Sequence, residues 1–281
     1  MKLMIFNTNK ELGNFLEKIP CKRLGKIEYG IFKNFKKNKI LFTAEHAHDT
    51  RIKTPQYGEK AYVKVGDTNT DKLAILMAYR LESSFLISKF PRVEADFSRP
   101  INTLGKNERI FIEIFNSRGK EKKYFRAHRN KDYASFLEKY HDIIEKLAPS
   151  AIVSVHGMSE KGHPPDILLG FGKNYRMING VTKALEFKNL FIKNLDRVFA
   201  KLKIKNKLKI NISRWLFTGE KNYVLTKHIL QYNKNKRFGM HVEFNFRGRV
   251  IKRGFIRKDY QIAAQVLAET VLEWMNEYFK E

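Results

Sequence analysis

The sequence of 281 residues predicts an α/β protein, a three-layer α/β/α sandwich with a mixed central sheet. Short apolar segments alternate with longer segments that have the periodicity of amphipathic helices. Two of the apolar segments end abruptly in histidine, as strands do when they deliver side chains to the edge of an α/β sheet. No proline-rich or low-complexity linker divides the chain, so we expect a single domain over residues 1–281.

Seven segments have the length, apolar content and flanking polar residues of strands. The segment KLKIKNKLKINIS, residues 201–213, alternates basic and apolar residues, which predicts a half-exposed strand at the edge of the sheet. The predicted strands cover residues 39–44, 84–88, 109–115, 151–155, 166–169, 208–212 and 241–246.

Five segments have apolar residues at helical spacing. The first begins behind a cap at Thr70 and carries the acidic Asp71 in its first turn, and Pro149 closes the second. Because helices of this length alternate with the strands, we expect helices on both faces of the sheet. The predicted helices cover residues 70–82, 131–147, 181–202, 220–232 and 259–279.

The composition limits the class of protein. Apolar residues make up 43%, which is typical of a globular chain, and no segment approaches the roughly 20 apolar residues of a membrane span. The first residues are too polar for a secretory signal, so a cytoplasmic location is expected. Cys21 is the only cysteine, which excludes an internal disulfide and a cysteine-based zinc cluster. A metal in this protein would therefore be bound by histidine and carboxylate.

The net charge of +26 allows two interpretations. One is attraction to an anionic partner such as RNA, DNA or an acidic substrate. The other is an ordinary lysine-rich surface. The lysines are spread along the whole chain and form no one-sided stripe, so the second interpretation is favoured.

Potential metal ligands follow the first predicted strand. Glu45, His46, His48 and Asp49 lie within five positions, and His46 and Asp49 have an H-x-x-D spacing that can bring both side chains to one point. His156 directly follows the predicted strand 151–155. Two histidines and a carboxylate suit Zn²⁺ and leave its fourth position open, as in catalytic zinc sites.

The third ligand is not decided by these residues. It could be Asp49 or Glu45, and Glu45 and His48 could instead support the ligands or point away from the sheet. Asp67 and Asp71, in the segment GDTNTD, are expected to form a turn and a helix N-terminus and not to bind metal.

Glu243 and Arg99 are candidate catalytic residues. Glu243 lies among aromatic neighbours in a predicted strand. Burying a carboxylate there is costly unless it has a partner or a function, and general acid/base chemistry is one such function. Arg99 follows the strand-like VEADF and could hold a substrate carboxylate through two hydrogen bonds, or form a structural salt bridge with Asp96.

The remaining histidines are given lesser roles. His163, in a proline-rich loop, could border a substrate pocket, whereas His128, His141 and His228 are expected in loops or on helix surfaces. The sequence has no G-x-G-x-x-G, Walker-type or G-x-S-x-G motif, which removes most of the support for nucleotide-dependent and serine-hydrolase chemistry.

Six short segments, spread in order from about Phe42 to Asn245, carry a further signal: TAEHAHDTRIK, GDTNTDKLAILMA, ADFSRP, SVHGM, PPDILLGFG and MHVEFN. They resemble, in turn, the E-H-A-x-N/D, D-T-x-T-D-x-L-A, D-x-N-R-x-P, D-x-H-S/G and P-D-x-x-L-G segments and the late glutamate segment of the N-formylglutamate amidohydrolase family. This family is a branch of the zinc-carboxypeptidase-like hydrolases.

The resemblance implies a phosphorylase/hydrolase-like fold and hydrolysis of an amide bond in an N-acyl amino acid or a peptide. It implies that His46 and His156 bind zinc with Asp49 as the third ligand. It further implies that Glu243 is the general base and that Arg99 binds the carboxylate of the substrate.

Two residues depart from the family pattern. Ser98 stands where an asparagine usually precedes the arginine, so the carboxylate pocket, including Ser98, is expected to differ. Ser154 stands where aspartate is often found two residues before the histidine, which removes an expected partner of the metal ligand. The alternative to the amide hydrolase is a nucleic-acid-binding protein, or an RNA-linked acyl hydrolase on the same scaffold, as the basic charge suggests.

Overall fold

A computed structural model describes residues 3–33, 35–47, 52–53, 62–64, 67–90, 96–100, 109–116, 119–126, 134–159, 164–214, 217–231, 237–251 and 254–279. The strands in this part of the chain are β1 (Lys22–Leu24), β2 (Ile27–Ile31), β3 (Ile40–Ala44), β4 (Ile52–Lys53), β5 (Tyr62–Lys64), β6 (Ser84–Ser88), β7 (Arg109–Asn116), β8 (Gly119–Arg126), β9 (Ala151–Met158), β10 (Ile167–Gly170), β11 (Ile210–Ile212) and β12 (Phe238–Asn245).

The helices described are α1 (Asn9–Glu17), α2 (Phe35–Asn38), α3 (Thr70–Leu81), α4 (Ala134–Leu147), α5 (Val181–Lys201), α6 (Tyr223–Leu225), α7 (Phe246–Arg249) and α8 (Lys258–Tyr278). One π-helical turn, Thr226–Leu230, continues directly from α6. None of the described helices has both the length and the apolar character needed to cross a bilayer.

The main sheet is mixed, as predicted. Its eight strands are ordered β1-β2-β6-β3-β9-β12-β10-β11, with parallel pairing from β6 through β3 and β9 to β12. The strands β1, β2 and β10 add antiparallel pairs. The strands β4, β5, β7 and β8 form a separate antiparallel sheet, so the strand predicted at residues 109–115 exists but belongs to this second sheet.

Helices cover both faces of the main sheet. On one face α3 contacts α8 and β3, and α8 contacts α5. The helix α4 contacts β6, where the Tyr140 hydroxyl donates to the Leu86 carbonyl at 3.3 Å, and it packs against the π-helical turn through His141 and His228. Strands β3, β6 and β12 are buried along their whole length, as expected for strands covered on both sides.

The register of the central strands places polar side chains in adjacent positions. In the parallel pairs, Ser154 of β9 lies opposite Thr43 of β3 and opposite His241 of β12. One step of two residues further along, His156 lies opposite Glu243. Because side chains two apart on a strand share a face, these polar groups converge on one side of the sheet near the carboxyl ends of β3, β9 and β12.

Three local predictions are wrong. In residues 201–213 only Ile210–Ile212 is a strand; it does lie at the sheet edge, but α5 extends through Lys201 and the next residues form a turn. The predicted helix 220–232 is reduced to α6 and the π-helical turn, with Asn222 as its N-cap. Thr70 is the first residue of α3 and not its cap, and its hydroxyl donates to the Asp67 carbonyl at 2.7 Å.

Candidate metal centre and active-site cleft

His46 lies just beyond the end of β3 and is almost fully buried. Its Nε2 atom is 2.7 Å from Oδ1 of Asp96, a carboxylate with no exposed surface. Its other ring nitrogen, Nδ1, is 3.5 Å from Oδ2 of Asp67. Since the Asp96 carboxylate can only accept a hydrogen bond when ionised, it orients the imidazole with Nδ1 directed at Asp67.

His156, on β9, repeats this arrangement. Its Nδ1 atom is 3.3 Å from Oδ2 of Asp67, and its Nε2 atom is 3.1 Å from Oε2 of the buried Glu45. Burial alone disfavours the charged imidazole, but hydrogen bonds to Asp67 and Glu45 outweigh it and raise the pKa of His156 to about 10. Both ring nitrogens therefore face carboxylates.

Glu45 is a partner of His156 and lies on the side of the ring away from Asp67. It accepts hydrogen bonds from the hydroxyls of Thr43 at 2.8 Å and Ser154 at 2.9 Å. Burial opposes ionisation, but the hydrogen bond and charge of His156 prevail and lower the pKa of Glu45 to about 2. Ser154 thus still connects to the histidine, through Glu45 and through its own contact with Nε2 at 2.9 Å.

Asp67 lies in the turn predicted for the GDTNTD segment, and the structure also brings it to the two histidines. Its carboxylate lies between His46 and His156, and its backbone N–H donates to the His46 carbonyl at 2.8 Å, which holds the chain ahead of α3 against the end of β3. Burial opposes ionisation of this carboxyl, but hydrogen bonds to both histidines hold its pKa well below the usual value. Asp67 is therefore an ionised carboxylate between two imidazoles.

These three side chains fit a divalent metal ion. The candidate ligand atoms of His46, Asp67 and His156 all lie within 4.8 Å of one another. Two ligand atoms bound to tetrahedral zinc at about 2.0–2.1 Å are separated by about 3.3 Å. The observed carboxylate-to-nitrogen distances, 3.3 and 3.5 Å, match that separation. Each imidazole also has its second nitrogen on a buried carboxylate, as in carboxylate–histidine–zinc sites.

His241 and Glu243 lie next to this cluster on β12. His241 stacks on His156 with ring centroids 4.3 Å apart and planes inclined by 23°. The candidate ligand atoms of His156, His241 and Glu243 also lie within 4.8 Å of one another, although the planes of the two imidazoles are close to parallel. By contrast, the rings of His46 and His156 are inclined by 74°, with centroids 5.0 Å apart.

A cleft of about 750 Å³ opens over the cluster. This volume is large enough for a ligand of several linked groups, such as a short peptide. The more buried residues that line it are His46, Asp67, Ser98, His156, Asn222, His241 and Glu243, and the more exposed ones include Arg99, Lys173, Tyr175, Arg214, Phe217, Glu220 and Lys221.

Arg99 and Ser98 are both placed at this cleft. Arg99 donates from one guanidinium nitrogen to the Lys221 carbonyl at 3.0 Å, and its Nε is 3.8 Å from Oδ2 of Asp96. The structural salt bridge considered from the sequence is therefore present, and the guanidinium also lines the cleft. The Ser98 hydroxyl donates to Oδ1 of Asp96 at 2.6 Å and so supports the carboxylate that holds His46.

A buried arginine, Arg249, lies beside the cluster, next to the residue that follows His156. Arg249 is 3% exposed and donates to the backbone carbonyls of Phe244 and Thr68. Its guanidinium lies against Gly157, where an added Cβ would be 2.2 Å from Cζ of Arg249. Burial lowers the pKa of Arg249, while the charges of Asp67 and Glu243 act in the opposite direction.

Not all predicted site residues can be compared with the structure. Asp49, His48, His128 and His163 lie outside the described residues. Asp49 therefore remains a predicted ligand without a described position, while Asp67 occupies the carboxylate position between the two histidines.

The prediction for two further histidines is wrong. His141 and His228 are each only 1% exposed and do not lie on helix surfaces. The Nδ1 atom of His141 is 2.8 Å from Nε2 of His228, and their rings are stacked. They form a pair between α4 and the π-helical turn, apart from the cluster of His46, Asp67 and His156.

Sequence reasoning missed three polar residues of the site. Asp67 and Asp96 lie before a helix and in a short turn, respectively, where polar residues are ordinary. Asn222 caps α6, and its side-chain amide also donates to Ser154 at 2.7 Å. Two signals were available in the sequence: Asp67 is a carboxylate just ahead of a helix, and Asp96 is the aspartate of ADFSRP. Neither signal shows which side chain the carboxylate contacts.

No protein-family model matches this sequence, and no curated protein matches it. Among solved structures, the chain is similar to N-formylglutamate amidohydrolase from Ralstonia eutropha JMP134, with a TM-score of 0.53 and 13% identity over 90% of this chain and 99% of that chain. Metallo-carboxypeptidases from Burkholderia cenocepacia and Pseudomonas aeruginosa give TM-scores of 0.46 and 0.45 at 11% and 10% identity, each over 95% of this chain and 68% of the other. The resemblance to the amidohydrolase family is thus confirmed at the level of the fold.

Proposed function

We propose that this protein is a zinc-dependent amide hydrolase that acts on N-acyl amino acids or on the carboxyl end of peptides. One observation carries the proposal: His46 and His156 each direct Nδ1 at the same Asp67 carboxylate, while their Nε2 atoms are held by Asp96 and Glu45. This donor set suits Zn²⁺ and leaves room for a further ligand. The fold similarity to an N-formylglutamate amidohydrolase supports the same class of reaction.

His46, His156 and Asp67 would hold the metal in this proposal. A bound zinc ion supplies a Lewis acid that polarises the scissile carbonyl and lowers the pKa of water. Glu243 accepts the proton of the attacking water and returns it to the leaving amine. The products are a carboxylic acid and an amine.

Arg99 positions the substrate. Its guanidinium lines the cleft beside Lys221, and a guanidinium can bind a carboxylate through two parallel hydrogen bonds. Holding the substrate carboxylate there fixes the amide relative to Glu243 and the histidines. The cleft volume of about 750 Å³ also accommodates substrates longer than a formyl amino acid.

Metal analysis and hydrolysis assays test the proposal together. We expect about one zinc per chain in the parent protein and release of free amine from a panel of N-formyl, N-acetyl and peptide substrates. Zinc binding and hydrolysis should both be lost in the His46→Ala, His156→Ala double variant and in the Asp67→Ala variant. Asp71→Asn, which changes a carboxyl four residues later in the first turn of α3, is the matched control and should keep both.

A parent protein that is purified without chelator, is supplied with zinc and still binds none would contradict the proposal. Zinc retained by Asp67→Ala at the parent level would remove Asp67 from the ligand set. Nothing in the described residues or in the comparisons favours the nucleic-acid alternative. It stays a prediction that has not been tested. Binding to RNA that falls steeply with salt would support it.

A further inference from the structure

His241 and Glu243 are two residues apart on β12 and therefore project from the same face of the strand. Both line the cleft, and both are largely buried, with side chains 8% and 5% exposed. The register of the parallel pair places Glu243 opposite His156 and His241 opposite Ser154. The two residues thus form one unit beside the candidate metal ligands.

A hydrogen bond joins the two side chains. Nε2 of His241 is 2.9 Å from Oε1 of Glu243. An ionised carboxylate only accepts hydrogen bonds, so donation from His241 to such a carboxylate requires the proton on Nε2 of the imidazole. The second carboxylate oxygen, Oε2, is buried and has no hydrogen-bond partner among the residues that the structure describes. Oε1 is therefore engaged in this hydrogen bond, and Oε2 is the oxygen that remains to accept a proton.

The imidazole packs on another ring, and backbone lies close to the Cβ atom of His241. One face stacks on His156 at a centroid distance of 4.3 Å. Near its Cβ atom the backbone approaches closely at Gly219, where φ is +84° and an added Cβ would lie 2.9 Å from Cβ of His241. A ring confined in this way can fix the direction of the hydrogen bond that it donates.

We propose that His241 is a positioning residue for the general base: its Nε2–H holds Oε1 of Glu243 and leaves Oε2 as the atom that takes the proton from the attacking water. The inference rests on the proposed hydrolase function. Since a carboxylate side chain has several rotamers, holding one of them preorganises the proton transfer without contact between His241 and the reacting atoms.

Two substitutions separate the donor from the ring. Glutamine can place its amide N–H near the position of Nε2 but cannot stack as an imidazole does, so His241→Gln keeps the donor. Phenylalanine keeps a flat ring against His156 but has no donor. We expect His241→Phe to lower kcat at least 10-fold with KM and zinc content within about twofold of the parent, and His241→Gln to stay within about threefold in kcat.

The kinetic outcomes are distinguishable. A His241→Phe variant with parental kcat overturns the positioning role, and so does a His241→Gln variant that loses as much kcat as His241→Phe, because the ring and not its N–H would then matter. If the parent protein hydrolyses none of the N-acyl or peptide substrates, it is the proposed function that fails.

A second measurement does not depend on activity. In ¹⁵N-histidine-labelled protein, NMR should show His241 as the Nε2–H form with a hydrogen-bonded Nε2 proton. That proton signal should shift or disappear in Glu243→Leu, while the resonances of His228, whose described contacts are with His141 and Arg237, remain in place. Detection of the Nδ1–H form of His241 in the parent protein would overturn the inference.

Discussion

Oδ1 of Asp96 lies 2.7 Å from Nε2 of His46 and leaves Nδ1 as the ring nitrogen directed at Asp67. The Ser98 hydroxyl and backbone N–H both donate to the same Asp96 oxygen, at 2.6 and 3.0 Å. The carboxylate is fully buried, so its negative charge acts on the imidazole with little screening by water. Asp96 therefore sets the orientation of a candidate metal ligand.

Asp96→Asn should weaken zinc binding about 10- to 100-fold, because the amide carries no charge and supports the imidazole less well. The measurement is competition for zinc against a chromophoric chelator. Asp196→Asn is the control, since Asp196 is an exposed residue that binds only Asn206 among the contacts described for it. Equal zinc affinity in the parent and Asp96→Asn proteins would contradict this role of Asp96.

Arg99→Ala should raise KM for N-acyl amino acids about 10- to 100-fold, which corresponds to about 1.4–2.8 kcal/mol of lost substrate binding. The physical reason is the loss of a bidentate, charge-assisted contact to the substrate carboxylate. Lys221→Ala removes an exposed cation from the same cleft and should change KM less. A substrate amidated at its carboxylate supplies the second control, because it should be equally poor for the parent and Arg99→Ala proteins.

Gly157→Ala should destabilise the fold by about 1–3 kcal/mol, since the new methyl group would meet the buried guanidinium of Arg249. Gly13 is the matched control. It lies in α1 with no atom within 4 Å of an added Cβ, so Gly13→Ala should stabilise the protein by about 0.5–1 kcal/mol. Urea unfolding curves give both values, and the same sign for both variants would refute the close approach of Arg249.

The buried pair His141 and His228 should make stability depend on pH. Burial, followed by the positive charges nearby, lowers the pKa of each ring to about 3. In the unfolded chain a histidine has a pKa of about 6.5, so the unfolded state binds more protons between about pH 6.5 and pH 3. Stability is therefore fully present above pH 6.5 and is lost as the pH falls toward 3, by up to about 1.4 kcal/mol per pH unit for each ring.

Urea unfolding of the parent protein and of a His141→Phe, His228→Leu variant at pH 7.5 and pH 5 measures this effect. Carboxylates contribute alike to both proteins, so the comparison isolates the pair. We expect the double variant to lose less stability than the parent over this range. An identical loss in both proteins would mean that the two rings are not buried as neutral groups.

Local pattern located the central strands and the long helices, although β9 ends three residues beyond its predicted limit and β12 begins three residues before its own. The strand Ser84–Ser88 was predicted with its observed bounds, and α3, α5 and α8 begin and end within one residue of their predicted limits. Their apolar side chains recur at the period of the element itself, so the information lies within one segment. The prediction of one helix over residues 220–232 is wrong. The helical period of the sequence continues through this segment, but the structure forms a π-helical turn there.

The second sheet shows the limit of that reasoning. Apolar and polar residues alternate over residues 109–115 as in a strand, but this alternation does not show which strand lies beside it. In the structure β7 pairs with β5 and β8 and does not join the main sheet. Pairing depends on contacts between distant segments, which a local period does not encode.

The sequence by itself determined the α/β class, the alternation of strands and helices, and a histidine near the carboxyl end of two central strands. Only the tertiary structure decided that His46 and His156 face one carboxylate, that this carboxylate is Asp67, and that Asp96 and Glu45 hold the opposite sides of the rings. The reason is physical: a strand's period fixes the face on which a side chain lies, whereas its partner is set by strand order and register and by the loops that return to the same edge of the sheet.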